Sequence, residues 1–261
     1  MVKLSTLLRS IALLILTATL VCVTPNNANL ANYNAFATSG EGDMYINAFE
    51  SHIKRLYYDC NLHNKNLDYH IFKYAVTGYY NLKREGGLPK HKHTLTIVDY
   101  NKASQDKRLY VIDMLNRYVT HHTYVAHGKN SGLMYARNFS NQPESKQSSL
   151  GFYKTGDTYY GNHGYSLRLI GQEIDFNSKA LQRCIVMHSA NYVSAAYANR
   201  HGSLGTSWGC PAIPPEENHA IINKIKHGGC LFVYANNIYY LNESQYLNMY
   251  PAARFYAQNS L

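Results

Sequence analysis

The chain has 261 residues, of which 46% are apolar, which suits one catalytic-sized domain with a modest extension or two small domains. Its formal net charge is +9, which favours a polyanionic partner such as anionic lipid or an acidic wall polymer, or serves solubility alone. Lysine- or arginine-rich runs interleaved with aromatic residues are missing from the sequence, so we expect no nucleic-acid partner. The 25 tyrosines favour strands and half-wet surfaces, and hence a β-rich class.

The N-terminus has the layout of a secretory signal. Lys3 and Arg9 precede an apolar run over 11–23, which is short for a membrane span of roughly 20 residues. Small residues follow this run, and we expect cleavage near Ala28 or Ala31. The sequence therefore predicts an exported protein, periplasmic or cell-wall associated, with no stable membrane span after cleavage.

Helical patterns come next in the chain. The polar stretch 32–43 is predicted to be a linker, and apolar residues at spacings of three and four over 46–56 predict a helix. A second helix is predicted over 67–78, with Asn66 or Asp68 as its N-cap. The role of residues 44–83 stays open, as a small packing domain or a partner surface.

Short strands dominate the sequence from about residue 94. The candidate strands are 94–100, 108–115, 122–127, 149–153, 165–171, 183–189, 230–235 and 238–241, the last pairing back through a turn at Asn236-Asn237. Helical pieces are expected at 177–182, 192–200 and 215–226. The predicted segments are a signal (1–31), a linker and helical N-terminal segment (32–92), a mostly β domain with a few helices (93–241) and a C-terminal tail (242–261).

A histidine and a cysteine stand out within 188–214. His188 ends an apolar strand, and Cys210 follows Gly209 in a turn that Pro211 stiffens. A thiol of ordinary pKa is only a few per cent ionised at neutral pH, so a nucleophilic Cys210 needs a base such as His188. Spacing alone also fits a half-buried cysteine and a strand-end histidine with purely structural roles.

The motif around these residues resembles the catalytic signature of the L,D-transpeptidases, cysteine enzymes that remodel peptidoglycan. The match is His188-Ser189-Ala190 followed by Ser207-Trp208-Gly209-Cys210. Most of the family has histidine where this chain has Trp208. The murein L,D-transpeptidase catalytic-domain branch is more similar, through its Gly-Cys-Pro-Ala ending, the loop YVAHGKNSG and the strands SSLGFY and YSLRLIG, so the resemblance covers about 93–241.

The resemblance implies a β-sandwich or barrel catalytic domain with assigned site residues. Cys210 would be the nucleophile, His188 the base, and the backbone carbonyl of Ser189 would orient the imidazole. The N–H groups of Gly209 and Cys210 would bind the oxyanion, and Ser207 would support the loop. Most of the family has a second histidine at the position of Trp208. The resemblance therefore does not say which residue of this chain takes the role of that histidine.

Several other residues are candidates for the site. His127, His163 and His201 compete with His188 as base, although His201 lies in an apparent loop. His127 is a candidate lining residue of a substrate cleft, or else part of a structural turn. Arg168 is a candidate partner for a substrate carboxylate, and Trp208 is a further candidate substrate contact.

The cysteines and the remaining histidines leave the redox state open and give little sign of metal. In an exported chain Cys60, Cys184 and Cys230 either stay free or form one disulfide, and Cys22 makes lipid attachment an alternative. The histidine pairs 91/93 and 121/122 lack further ligands at zinc spacing, so we expect no metal site. The resemblance requires no cofactor.

Together these features predict a cysteine acyltransferase acting on peptidoglycan stem peptides. A thioester on Cys210 would pass a diaminopimelate carbonyl to an amine, or to water in a carboxypeptidase or endopeptidase. The acceptor is not specified.

Papain-like peptidases are disfavoured because their cysteine precedes their histidine. A non-catalytic wall-binding module with an oxidised Cys210 is the other alternative. The oligomeric state is not indicated.

Overall fold

The computed structural model describes residues 39–259, so the predicted signal and most of the predicted linker lie outside the described residues. The α-helices are α1 Ser39–Asp59, α2 Tyr69–Arg84, α3 Ala195–His201, α4 Pro215–Ile225, α5 Ile238–Glu243 and α6 Met249–Asn259. The strands are β1 Thr94–Asp99, β2 Leu109–Asp113, β3 Tyr118–Thr123, β4 Gly151–Gly161, β5 Gly164–Gly171, β6 Val186–Ser189, β7 Ala212–Ile213 and β8 Cys230–Tyr234.

The eight strands form one sheet in the order β3-β2-β1-β8-β4-β5-β6-β7. Neighbours are antiparallel except for the parallel pairs β1/β8 and β6/β7. After β3 the chain crosses to the opposite edge, where Ala126 pairs with Ala212 and Gly128 pairs with Ser207. These bridges bring the two edges together into a nearly closed barrel, so the predicted mostly β catalytic domain with a few helices is confirmed.

Two helices precede the sheet, as the sequence predicts. In α1 the apolar residues Phe49, Ile53 and Leu56 are buried, because their spacing places them on one helical face. The second helix begins at its predicted cap: the Asp68 carboxylate accepts the backbone N–H groups of His70 at 2.7 Å and Ile71 at 3.3 Å.

The helices on both sides of the strand region share the core of the sheet. A single cluster of buried apolar residues includes Phe49 of α1, Phe72 of α2, Phe232 of β8 and Ala252 of α6. Every residue of β1 is buried, since α2 and α4 both contact this strand, as expected for a strand covered on two faces. Helices α1, α2 and α6, which lie outside 93–241, thus complete the core. The boundaries of the predicted segments stay predictions.

Some predicted elements are wrong. Residues 238–241 are helical in α5, because the Asn237 side chain accepts the Tyr240 N–H at 2.9 Å and caps a helix instead of turning a hairpin. Residues 177–182 form turns. Helix α1 begins at Ser39, inside the predicted linker, and the predicted tail contains α6. The third strand lies at 118–123, earlier than predicted.

Within residues 39–259, none of the helices is long and apolar enough to cross a membrane.

Candidate active site

His188 lies near the end of β6, where the strand meets β7. It pairs with Ala212 across the two strands, and its side chain is buried. Nδ1 lies 2.9 Å from the Ser189 carbonyl oxygen. Because a carbonyl can only accept, Nδ1 carries the proton and Nε2 is left as the basic nitrogen. The predicted orienting contact of Ser189 is therefore present in the structure.

Burial lowers the pKa of His188, because an imidazolium loses hydration inside the protein. The nearby His163 lowers this pKa further, while the hydrogen bond to the Ser189 carbonyl raises it. The ring is consequently neutral at pH 7 and able to accept a proton.

Cys210 lies two residues before Ala212, the first residue of β7, and is therefore next to β6. Its Sγ accepts the Val186 N–H at 3.5 Å and donates to the Cys184 carbonyl at 3.6 Å. Both contacts are weak, because a thiol is a poor hydrogen-bond donor and acceptor, and no hydrogen bond joins Sγ to the His188 ring in the described chain. Burial raises the pKa of the Cys210 thiol, although the Val186 N–H and Arg183 lower it. The thiol is therefore protonated at neutral pH and requires a base to react.

The loop before Cys210 is held by Ser207. Its hydroxyl donates to the Cys210 carbonyl at 2.6 Å and accepts the Gly209 N–H at 3.1 Å. The loop contact expected of Ser207 is present, but the Gly209 N–H, expected to bind an oxyanion, is occupied in this conformation. The Cys210 N–H makes no hydrogen bond within residues 39–259. Gly209 has φ +123°, a conformation that side chains rarely adopt.

The segment after β3 braces this loop from the other side. Lys129 N–H donates to the Ser207 carbonyl at 2.7 Å, and Ser207 N–H donates to the His127 carbonyl at 3.0 Å. At Gly128 an added Cβ would lie 2.6 Å from the Lys146 carbonyl oxygen and 2.9 Å from the Gly209 Cα. Only glycine permits this approach, so the position of the Cys210 loop depends on Gly128.

The side chain of His127 is fully buried, which favours the structural turn over a place in a substrate cleft, the two alternatives that the sequence leaves open. Arg108, also fully buried, donates from Nη2 to His127 Nδ1 at 2.8 Å, and His127 Nε2 donates to the Gly132 carbonyl at 3.0 Å. Burial lowers the pKa of His127 to about 4, and the Arg108 charge lowers it as well. Arg108 also donates to the Val125 carbonyl at 3.0 and 2.8 Å. The pair is a structural brace for the segment that holds the loop.

The other two candidate substrate contacts are exposed. Trp208, which is 75% exposed, has Lys146 Nζ 4.7 Å from its ring centroid. Arg168 of β5 pairs with Val186 of β6 and so shares a sheet face with His188. Its guanidinium lies 4.7 Å from the Tyr159 ring centroid, and it has no carboxylate partner within residues 39–259.

The sequence did not predict where three neighbours of the site lie. His163, considered only as a rival base, stacks on His188 from the β4–β5 turn. Arg183 contacts the Gly209 backbone region and donates to the Gln147 carbonyl at 2.6 Å. Burial raises the pKa of Tyr192 to about 12, and the nearby Cys210 raises it further. The ring of the rival His201 lies against Tyr197 of α3 instead, tilted by 35° with 4.2 Å between centroids. No sequence spacing signals these contacts.

The four cysteines of the described chain are free: Cys60 and Cys230 are buried, Cys184 is exposed and Cys210 is half-buried. Among residues 39–259, no three histidine, cysteine or acidic side chains are grouped so that they could hold a metal ion.

Comparison with protein families decides the relationship. The family model of the L,D-transpeptidase catalytic domain matches residues 63–234, which include His188, Cys210 and all of β1 to β8. The chain belongs to the L,D-transpeptidase catalytic-domain family. The match also includes α2.

Solved structures similar to this L,D-transpeptidase domain are distant in sequence. An L,D-transpeptidase from Mycobacterium smegmatis is 14% identical (TM-score 0.34), covering 55% of this chain and 59% of that one. A variant of the helical cell shape determining protein Pgp2 from Campylobacter jejuni is 9% identical (TM-score 0.38), covering 70% and 63%. An L,D-transpeptidase from Xylanimonas cellulosilytica is 12% identical (TM-score 0.31), covering 56% and 63%. The chain thus spans less than two thirds of each. A search of curated proteins finds no significant match.

Proposed function

We propose that this protein is an exported peptidoglycan L,D-transpeptidase that forms a thioester on Cys210. The observation that carries the proposal is the hydrogen bond between His188 Nδ1 and the Ser189 carbonyl. His188 lies on β6, and the neighbouring strand β7 begins just after Cys210. That bond leaves Nε2 as the basic nitrogen, on a strand whose Val186 N–H lies 3.5 Å from the thiol sulfur. Family membership supports the reaction class.

In the first half-reaction His188 Nε2 takes the Cys210 proton, and the thiolate attacks the diaminopimelate carbonyl in a stem peptide. Because Sγ is held only by two weak contacts, to Val186 N–H and the Cys184 carbonyl, a small side-chain rotation can release it. The tetrahedral intermediate then collapses, the carbon–nitrogen bond breaks, and His188 returns the proton to the departing amine of D-alanine. A thioester remains on Cys210.

In the second half-reaction an amine of a neighbouring stem attacks the thioester. His188 takes its proton, and the Cys210 thiolate leaves and is reprotonated, which yields a cross-link. Water in place of the amine would make the protein a carboxypeptidase or endopeptidase with the same residues. Exposed Arg168 is the proposed contact for a substrate carboxylate, and Trp208 with Lys146 the proposed contact beside the nucleophile.

The oxyanion would bind first to the Cys210 N–H, which has no acceptor in the described chain. The Gly209 N–H would join only if it leaves the Ser207 hydroxyl, 3.1 Å away. One such donor typically contributes about 3–4 kcal/mol to transition-state stabilisation. Substrate binding would therefore have to release the Gly209 N–H from the Ser207 hydroxyl before this N–H could bind the oxyanion.

The proposal is tested with a disaccharide-tetrapeptide as substrate and mass spectrometry of the products. We expect loss of the terminal D-alanine together with a cross-linked dimer, or a tripeptide if water is the acceptor. Cys210→Ala should lower turnover roughly 10³-fold or more, whereas Cys184→Ala, a matched change at the neighbouring free thiol, should leave it nearly unchanged. An inert parent protein would instead support a non-catalytic wall-binding module, and a fully active Cys210→Ala variant would contradict the assignment of Cys210 as the nucleophile.

A further inference from the structure

A cavity lies far from Cys210, between α1, α2, α6 and the chain that enters β1. Its volume is about 660 Å³, within the range of small-molecule sites. Its lining includes His93, just before β1, whereas Tyr100, just after that strand, contacts the Ala126 segment beside the Cys210 loop. A strand of this length separates the two ends by about 20 Å. We call this space the α1–α2–α6 cavity.

The inner wall of the cavity is apolar and aromatic. Leu56, Tyr79, Leu88 and Met114 line it and are buried. The rings of Tyr80 and Tyr256 meet edge to face, 5.7 Å between centroids at 87°, and complete the wall. Such a wall suits the apolar or aromatic body of a ligand.

The charge of the lining is of one sign. None of the lining residues is an aspartate or glutamate, and four of them are cationic: Lys83, Arg84, Lys90 and Arg117. Arg84 and Arg117 pair with carboxylates that lie outside the lining, Glu85 at 2.7 Å and Asp59 at 3.0 Å. Lys83 and Lys90 make no ion pair within the described residues. The cavity therefore carries positive charge that its own lining does not neutralise.

Lys83 is the most informative of these cations. Its side chain is half-buried, and Nζ makes only two long hydrogen bonds, to the Lys90 carbonyl at 3.4 Å and to His93 Nδ1 at 3.5 Å. Nζ also lies 5.1 Å from the Tyr79 ring centroid. Burial lowers the pKa of Lys83, because an ammonium in a recess loses hydration. An anion in the cavity would supply the missing short, charge-assisted contact.

We propose that the α1–α2–α6 cavity binds a small organic anion, a phosphate or carboxylate group carried on an apolar or aromatic body. The anionic group would lie against Lys83 and Lys90, and the body would lie against Tyr79 and Tyr256. This site is separate from the acyl-transfer site and gives the helical segment before β1 a binding role. It does not depend on the reaction at Cys210.

Calorimetric titration with octyl phosphate, which joins both features, tests the proposal on the purified protein. We expect octyl phosphate to bind at least about tenfold more tightly than inorganic phosphate, which lacks the chain, or octyl glucoside, which lacks the charge. A Lys83→Met/Lys90→Gln variant should bind octyl phosphate about tenfold to hundredfold more weakly. Lys179→Gln, a lysine change remote from the cavity, should bind it like the parent.

Three results would overturn the proposal: no binding of octyl phosphate, equal binding of octyl glucoside, or unchanged affinity in the double variant. If circular dichroism shows the double variant unfolded, Lys90→Gln alone decides, because that side chain is exposed, and unchanged affinity would again count against the site. Sedimentation with phosphatidylglycerol vesicles identifies the source of the anion. Pelleting that requires Lys83 and Lys90 assigns a lipid headgroup, and binding of octyl phosphate without pelleting assigns a free ligand.

Discussion

The imidazole of His163 stacks on the imidazole of His188, with 4.4 Å between the ring centroids and 22° between the planes. His163 lies in the turn between β4 and β5, so the tip of this hairpin reaches the proposed general base. Because two imidazolium rings at this distance repel each other, His163 disfavours the protonated form of His188. The hairpin therefore covers the base and also affects its proton affinity.

Replacing His163 with asparagine should raise the pKa of His188, since both the shielding from water and the neighbouring charge are lost. His188 must be neutral to accept the thiol proton, so the acidic limb of kcat/KM should move to higher pH. The loss of stacking should lower kcat/KM up to about tenfold. The pH profile of tetrapeptide turnover measures both effects. His201→Asn is the control, and an acidic limb that does not move would show that His163 has no influence on the base.

Replacing Arg168 with glutamine should raise KM for the tetrapeptide about tenfold and leave kcat nearly unchanged, because a charge-assisted contact to a substrate carboxylate acts equally in the ground and transition states. Arg200→Gln, an exposed arginine on α3, is the matched control. Steady-state kinetics separate the two constants. An unchanged KM would remove Arg168 from the substrate site.

Replacing His127 with alanine should lower the free energy of unfolding by about 2–4 kcal/mol, since Arg108 Nη2 and the Gly132 carbonyl would both lose buried partners. Urea denaturation measures the effect, with exposed His91→Ala as the control. A variant of parental stability with only a raised KM would instead place His127 in the substrate cleft.

Glu173 should make the folded state less stable at alkaline pH. Burial raises its pKa to about 7, although hydrogen bonds from Ser244, the Phe152 N–H and the Tyr240 hydroxyl oppose the shift. The folded chain holds this proton more tightly than the unfolded chain, so the stabilisation is complete below about pH 4.5 and lost as the pH rises through about 7. The loss is about 3 kcal/mol at most.

Denaturation of the parent and of Glu173→Gln at pH 4.5 and pH 8 isolates this effect. The parent should lose stability relative to the variant between these pH values, and Glu243→Gln, an exposed glutamate in α5, should follow the parent. Parallel stability curves for the parent and Glu173→Gln would contradict the account.

Local patterns predicted much of the fold, and contacts over long sequence distances account for most of the errors. Helix spacing found α1 and α2, and the Asp68 cap was one of two predicted, because these signals act within a few residues. The 238–241 error arose because Asn237 suits both a hairpin turn and a helix cap, and only the docking of Tyr240 in the core separates them.

The candidate site divides in the same way. The expected contacts of Cys210, His188 and Ser207 came from the resemblance of their motif to the family signature, because their spacing alone also fits structural roles. The sequence left His127 open as a cleft residue or as part of a structural turn, and its contact with Arg108, the residue before β2, could not be predicted from local patterns. His163 comes from a hairpin turn, and only the folding of β4 and β5 brings it onto His188.

Intact mass after mixing the protein with a carbapenem tests the central claim, that Cys210 is an acyl-accepting nucleophile activated at this site. Carbapenems are the acylating inhibitors expected for the family. We predict one covalent adduct on the parent and none on Cys210→Ala. The control variant Cys184→Ala, which removes the free thiol beside the site, should also form one adduct. An adduct that survives in Cys210→Ala, or no adduct on the parent, would contradict the account.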